Sequence, residues 1–294
     1  MVLLGALILY LSKINIPVLE PKGPIALKER NLIYFALALS LVVVIPVFLL
    51  LGIFAWKYRE SNTKAKYSPE LDHNGATEAL WWVIPGILIA ILSVVAWNSS
   101  HTLDPYRAIA STTPKIKIQV IALDWKWLFI YPAQGIAAVN FFEIPINTPV
   151  EFELTSDAPM NSFWIPQLGG QIYAMPGMNT RLNLMATSLG RYNGWSANIS
   201  GKDFSYMTFV ADSVKHSTFN KWINMSKRSH YHLTSESYAT LSVPGTAKVH
   251  VYSKVLPGIF YATIDKYMSP NNTSAVVGSN YTPARANVSK GGMQ

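Results

Sequence analysis

Histidines and methionines are the residues of this sequence whose types and spacing first suggest chemistry, because both can bind metal ions. His230 and His232 are one residue apart and would share one face of a strand. The sequence places no third ligand near them, so an ordinary polar surface is the simpler interpretation. Met175 and Met207 carry thioethers, yet isolated methionines usually fill gaps in a core. His250 alternates with two valines, which indicates a strand.

Other catalytic chemistry finds little support in the sequence. There is no cysteine, which removes disulfides, thiolate metal sites, iron–sulfur clusters and thiol nucleophiles together. The sequence shows no Ser-His-Asp arrangement, no phosphate-binding glycine loop and no pair of catalytic carboxylates. Its basic residues are scattered and form no ladder with aromatic residues, so nucleic acid is not an expected partner.

Two apolar runs dominate the first hundred residues. Residues 32–56 and 80–97 contain no His, Asp, Glu, Lys or Arg. As helices they would be about 37 Å and about 27 Å long, against a hydrocarbon core of about 30 Å. Only a helix satisfies its own backbone in lipid, so residues 32–98 are predicted to form a transmembrane hairpin with a polar loop at 57–78. Without His, Asp, Glu, Lys or Arg, these spans are not expected to supply a haem ligand or a proton relay.

The orientation of the hairpin is predicted from the leader. Residues 13–31 and the loop 57–78 each contain four Lys or Arg, so the positive-inside rule does not decide. Residues 1–12 are apolar but too short to span a membrane, which is typical of a secretory signal. We therefore expect residues 1–31 to be a leader and an exported segment, the loop to be cytoplasmic, and everything after residue 97 to lie outside.

A period-two pattern begins at residue 115 and predicts an all-β domain at 105–213, read as an antiparallel sandwich or barrel. A helical and aromatic-rich extension is predicted at 214–268 and a disordered tail at 269–294. After the first alternating stretch, further short strand-like runs follow at 138–144, 150–155, 161–165, 171–174, 181–185, 191–196 and 206–211.

An aromatic run within the first alternating stretch is expected to have a structural role. Trp125, Trp127, Phe129 and Tyr131 alternate, so the pattern predicts four rings on one strand face. A packed core or a subunit contact is the simplest use of such a face.

Residues 158–209 carry a family resemblance. MNSFWIPQLGGQIYAMPGM and GRYNGWSANISGKDFSYMTF resemble the cupredoxin domain of subunit II of haem–copper respiratory oxidases. In the cytochrome c oxidases of that superfamily, this domain binds a two-copper centre. Its ligands follow a histidine before S-[FW] and the pattern C-S-E-x-C-G-x-x-H-x-x-M. These positions fall here on Asn161, Ser196, Asn198, Ser200, Phe204 and Met207.

Of the ligands in that pattern, only the methionine is retained. Hydroxyl, amide and phenyl groups do not replace the thiolate and imidazole donors that copper needs. The resemblance thus predicts a cupredoxin-like fold without a metal site, which argues against a copper-containing cytochrome c oxidase subunit. This loss is also the pattern of subunit II of bo-type quinol oxidases. Their resemblance extends over about residues 20–268, through PKGPIALKERNLI, FAWKYRESNTKAKYSPE and DWKWLFIYPAQGIAAVN.

The resemblance implies a role in a complex. It predicts a multi-pass subunit of the bacterial inner membrane with a periplasmic C-terminal domain. Its partners would be subunit I, which would hold the haems and copper, and the other membrane subunits. The complex would oxidise ubiquinol, reduce oxygen to water and pump protons, while the isolated chain would not be catalytic. The alternative is a membrane-tethered cupredoxin-fold binding or assembly module outside an oxidase, because fold alone does not fix function.

Two further expectations concern charge. Residues 98–294 contain sixteen Lys or Arg and ten Asp or Glu, a net charge of +6, which should repel basic cytochrome c but not a neutral quinol. Glu78 begins the second span. An acidic residue in a first helical turn is commonly stabilised by the helix dipole. The resemblance implies more, because the family places a glutamate here at the entrance of a proton channel of the large subunit.

Overall fold

The computed structural model describes residues 16–65 and 74–268. The predicted signal at 1–12, part of the predicted cytoplasmic loop and the predicted tail at 269–294 lie outside these residues. Within them, the fold class predicted from the sequence is confirmed: two long apolar helices precede a β-sandwich and a short C-terminal helix.

The two helices are α1, Pro24–Lys57, and α2, Gly75–Thr102. They contain both uncharged runs and extend beyond them at each end, and each continues through an internal proline, Pro46 or Pro85. The apolar side chains of the two uncharged runs are not buried inside the protein. A helix that is apolar all round and remains uncovered by its own chain suits a membrane rather than a soluble core.

The β-strands form two packed sheets and one short ribbon in the described chain. The first sheet has the order β12-β3-β2-β1-β5-β8, the second β4-β10-β9-β6-β7, and β11 pairs with β13. The strands are β1 Ile116–Leu123, β2 Lys126–Tyr131, β3 Ile136–Val139, β4 Phe141–Pro145, β5 Val150–Ser156, β6 Asn161–Trp164, β7 Ile172–Ala174, β8 Thr180–Leu184, β9 Gly190–Ser196, β10 Thr208–Val214, β11 His232–Leu233, β12 His250–Tyr252 and β13 Lys254–Val255.

The sequence predicted an antiparallel sandwich, but two of its strand pairs are parallel. Strand β1 runs parallel to β5, and β4 runs parallel to β10. Alternation along a strand reports which side chains face the core but says nothing of strand direction, so the sequence pattern could not reveal these two pairs.

The predicted strand at 138–144 is two strands in different sheets. Asn140 separates them with a φ of 56°, a left-handed conformation that asparagine tolerates better than most residues. Its side chain holds the corner: Oδ1 accepts a hydrogen bond from the amide of Trp127, and Nδ2 donates to the carbonyl of Ala247, each over 2.8 Å. The chain therefore leaves the first sheet at β3 and enters the second at β4.

Aromatic rings fill the space between the two sheets. Phe163 and Phe209 stack with centroids 4.9 Å apart, and Gly194 lies beneath Phe209, whose ring fills the space that a Cβ would need. The prediction of four rings on one strand face is wrong at one position. Trp127, Phe129 and Tyr131 of β2 are buried in this core, whereas Trp125 lies in the β1–β2 turn with a φ of 61°.

The helices of the C-terminal extension pack at two places, the outer face of the first sheet and the β4 edge of the second. It contains α3, His216–Ser226; α4, Ser235–Ser242; and α5, Ile259–Met268. Leu241 and Phe260 from α4 and α5 pack on outward-facing residues of the sheet such as Leu128. The extension also adds β12 to that sheet beside β3, so residues on both sides of the predicted boundary at 213 build one sheet.

The sandwich is fastened to the start of α1. The amides of Lys22 and Ala26 donate to the carbonyls of Gln167 and Leu168, over 2.7 and 3.2 Å. Gly23 lies so close that a Cβ would come within 2.5 Å of the Met185 carbonyl oxygen. The first helix and the β6–β7 loop are thereby held in one fixed relation.

Candidate functional site

The positions where the resemblance places copper ligands meet at one end of the second sheet. Asn161 opens β6 and Ser196 closes β9, and these strands pair antiparallel. The Ser196 hydroxyl donates to Asn161 Oδ1 over 2.9 Å, and Asn161 Nδ2 donates to the Pro159 carbonyl over 2.8 Å. Asn198 lies in the loop that follows, and its Nδ2 donates to the Met160 carbonyl over 2.9 Å. Hydroxyl and amide groups thus use one another as partners.

The remaining positions have separate roles. Met207 is fully buried in the core, and its carbonyl accepts from the indole nitrogen of Trp127 over 3.4 Å. Phe204 opens a 3₁₀ turn, Phe204–Tyr206, in the β9–β10 loop. The Ser200 hydroxyl is buried without a hydrogen-bond partner.

This arrangement does not fit a copper centre. Asn161 and Ser196 are engaged with each other in the buried interior, and Met207 serves the apolar core. Soft copper requires thiolate and imidazole donors, which these side chains cannot supply. Across the described parts of the chain, there is also no group of three His, Cys, Asp or Glu positioned to hold a metal ion.

The histidines are engaged in ordinary hydrogen bonds. The two ring nitrogens of His250 contact the Lys248 carbonyl at 3.0 Å and the Tyr252 hydroxyl at 2.8 Å. His232 Nδ1 lies 3.1 Å from the Ser253 hydroxyl. The sequence predicted that His230 and His232 share a strand face. Instead, His230 precedes the short strand β11, which begins at His232.

Glu78 lies in the first turn of α2. Asn74 caps this helix by accepting from the Thr77 amide over 3.1 Å, and the Glu78 amide donates to the Asn74 carbonyl over 2.9 Å. A helix of 28 residues is about 42 Å long. Glu78 therefore lies near the end of α2 that is remote from the linker to the sandwich.

The structure also brings together two carboxylates that the sequence analysis did not identify. Glu143 and Asp212 are directly opposite each other on the parallel strands β4 and β10. Burial, and then the charge of Asp212, raise the pKa of Glu143 to about 7. Burial also raises the pKa of Asp212, against the opposing effect of Arg191. The two residues are far apart in the sequence, which gave no sign that they pair.

Comparison with known proteins agrees with this architecture. The family model for the periplasmic domain of cytochrome c oxidase subunit II matches residues 135–214, and the COX aromatic rich motif matches residues 227–271. The cytochrome bo(3) ubiquinol oxidase subunit 2 of Pseudomonas putida is 47% identical over 264 residues, which cover 90% of this chain and 84% of that protein. The quinol oxidase subunit 2 of Bacillus subtilis is 36% identical over 232 residues, which cover 78% of this chain and 72% of that protein.

Among solved structures, the periplasmic domain of subunit II of the cytochrome oxidase of Bradyrhizobium japonicum matches with a TM-score of 0.39 and 20% identity, over 42% of this chain and 98% of that one. The fold and the family models define the class of protein: an oxidase subunit II with a cupredoxin-like domain. The extended similarity to the relatives is more specific. The chain belongs to the family of ubiquinol oxidase subunit 2, which confirms the resemblance found in the sequence.

Proposed function

We propose that this chain works within a ubiquinol oxidase as a structural subunit that carries no redox cofactor of its own. The partner subunit I would hold the haems and copper, oxidise ubiquinol and reduce oxygen to water. The observation that supports this role is the hydrogen-bonded network of Asn161, Ser196 and Asn198 at the former ligand positions. Neither apolar run contains a histidine for haem binding.

The work of such a subunit is to hold its domain in place. The contacts between the start of α1 and the β6–β7 loop fix the sandwich relative to the first membrane helix. We expect the sandwich to cover the outer face of subunit I, and Glu78 to contribute to the entrance of a proton channel on the cytoplasmic side. Basic cytochrome c is not an expected partner of a domain with this net positive charge.

Purification under mild conditions tests the proposal. The tagged full-length chain should bring haem absorbance and ubiquinol oxidase activity with it. Metal analysis of the full chain, separated from its partners, should find no stoichiometric copper. A colourless, inactive preparation from membranes that contain the oxidase would instead favour a tethered binding module.

The predicted membrane orientation has its own test, because the native chain contains no cysteine to give background labelling. Thr63→Cys places a thiol in the loop between the helices, and Ser205→Cys places one in the β9–β10 loop; both positions are exposed. In intact spheroplasts, an impermeant maleimide should label S205C and leave T63C unlabelled until the membrane is opened. The reverse pattern would contradict a periplasmic sandwich.

A further inference from the structure

The two outer faces of the sandwich differ in how far the rest of the chain covers them. On the first sheet, the outward residues are buried beneath the C-terminal extension. On the second sheet, outward positions remain accessible: Arg191 and Asn193 are exposed, and Trp195 and Trp164 are partly exposed. We call this surface the open face. The described helix that packs against the second sheet is α3, at the β4 edge.

One end of the open face carries an unbalanced row of charges. Glu143, Asp212 and Arg191 lie side by side on β4, β10 and β9, in register across three strands. Arg191 is paired in register with Asp212 and its charge opposes the rise that burial causes in the pKa of that carboxyl, so Glu143 lies at the outer end of the row. Glu143 Oε2 is buried and accepts no hydrogen bond. A half-buried carboxylate beside a second carboxylate is the arrangement that a cation would stabilise.

The other end of the open face is aromatic. Trp164 and Trp195 are directly paired across β6 and β9, with ring centroids 5.3 Å apart in a T-shaped contact. Tyr173 on the neighbouring strand β7 is 46% exposed. Along β9, Trp195 is four residues from Arg191, or about 14 Å at the usual rise of a strand. Tryptophan, tyrosine and arginine are the residues that most often dominate binding energy at protein interfaces.

We propose that the open face is a docking surface for a neighbouring oxidase subunit that presents a lysine or arginine to Glu143 and an apolar side chain to the tryptophan pair. This inference rests on the proposed function, which supplies the complex. The anionic row disfavours a phosphate-bearing lipid or nucleic acid. The net positive charge of residues 98–294 repels a basic soluble protein at a distance, whereas a subunit in the same membrane needs no long-range steering.

Accessibility of Asn193 tests the surface directly, since this exposed residue lies between the charged and aromatic ends. In the full chain produced without the other subunits, an impermeant maleimide should label N193C rapidly. In the assembled complex, labelling should be about tenfold slower, because interface contacts exclude water. S205C, on the β9–β10 loop, is the control for general reactivity. Equal rates for N193C in the free chain and the complex would overturn the proposal.

Charge reversal tests the identity of the partner group. Glu143→Arg should lower the haem retained with the purified chain several-fold after a salt wash, whereas Glu236→Arg, on exposed α4, should retain it. If E143R does not fold, as judged by its tryptophan fluorescence, the N193C comparison decides. E143R that folds and retains native haem content would refute a cationic contact. A native chain that brings no haem at all would instead contradict the proposed function.

Discussion

The hydroxyl of Ser196 donates to the side-chain oxygen of Asn161 over 2.9 Å, and both residues are almost fully buried. This bond joins the first residue of β6 to the last residue of β9. Buried polar groups cost stability unless they are paired. The hydrogen bond between Ser196 and Asn161 therefore stabilises this end of the sandwich.

Removing that hydroxyl should destabilise the domain. Ser196→Ala leaves Asn161 Oδ1 buried without its donor, so we expect the free energy of unfolding to fall by about 1–2 kcal/mol. Denaturant unfolding of the full chain in detergent, followed by tryptophan fluorescence, measures this change. Ser205→Ala, at an exposed position in the adjoining loop, should change stability by less than about 0.5 kcal/mol. Equal stabilities for S196A and S205A would show that the buried bond contributes nothing.

Asp157 fastens the C-terminal helix to the sandwich. Its Oδ1 accepts from Lys266 Nζ at 2.7 Å and from the Tyr267 hydroxyl at 2.8 Å, and its Oδ2 accepts from the Tyr238 hydroxyl at 2.9 Å. The carboxylate side chain is 2% exposed. One buried anion therefore holds donors from both α4 and α5.

Asp157→Asn should release α5, because an amide cannot accept from all three donors with the strength of a carboxylate. We expect a stability loss of about 2–3 kcal/mol, and faster amide hydrogen exchange in Ile259–Met268 than in β1. Asp265→Asn is a matched control, since Asp265 is an exposed carboxylate on the same helix. Unchanged exchange in the D157N helix would assign its docking to apolar contacts alone.

Local sequence patterns predicted the two long helices, most strands of the sandwich and many core-facing residues, because length, hydropathy and alternation report burial directly. These patterns did not predict features that depend on residues distant in the sequence. The left-handed Asn140 divides what the pattern presented as one strand, and it does so with partners at Trp127 and Ala247. The carboxylate pair of Glu143 and Asp212 arises from a parallel register that alternation cannot encode.

The same limit applies to the candidate site. The resemblance assigned six positions to a lost copper centre, and the structure joins Asn161, Ser196 and Asn198 in one hydrogen-bonded network. These hydrogen bonds could not be inferred from the residue types, because asparagine and serine are also common in turns. The pairing of β6 with β9 brings Asn161 and Ser196 together in the interior, and this pairing depends on the fold.

The Glu143 carboxyl should make stability depend on pH. Its pKa rises from 4.5 in the unfolded chain to about 7 in the fold, so the folded state binds more protons between these values. The free energy of unfolding should therefore fall as pH rises from about 4.5 to about 7. Solvent screens a partly exposed group, so the loss should be on the order of 1 kcal/mol.

Glu143→Gln should remove this loss in the full chain produced without the other subunits. We expect E143Q to exceed the native chain in stability above pH 7 and to approach it near pH 4.5, as measured by thermal unfolding across that range. Glu236→Gln, at an exposed site, should follow the native curve. A native–E143Q difference that does not vary with pH would show that Glu143 titrates normally.

Glu78 remains a predicted contributor to proton delivery, and its place in the first turn of α2 allows a clean substitution. Glutamine keeps the size and hydrogen-bonding capacity of the side chain but cannot carry a proton, and the Asn74 cap is left intact. We expect Glu78→Gln to slow steady-state oxygen consumption about tenfold. This is less than the roughly 10²–10⁴-fold contribution of a general acid or base, because Glu78 would only feed protons to a channel. Haem content and subunit composition should stay native. Glu60→Gln, an exposed glutamate in the adjoining loop, should have native turnover. If E78Q consumes oxygen as fast as E60Q, the carboxylate serves only the helix.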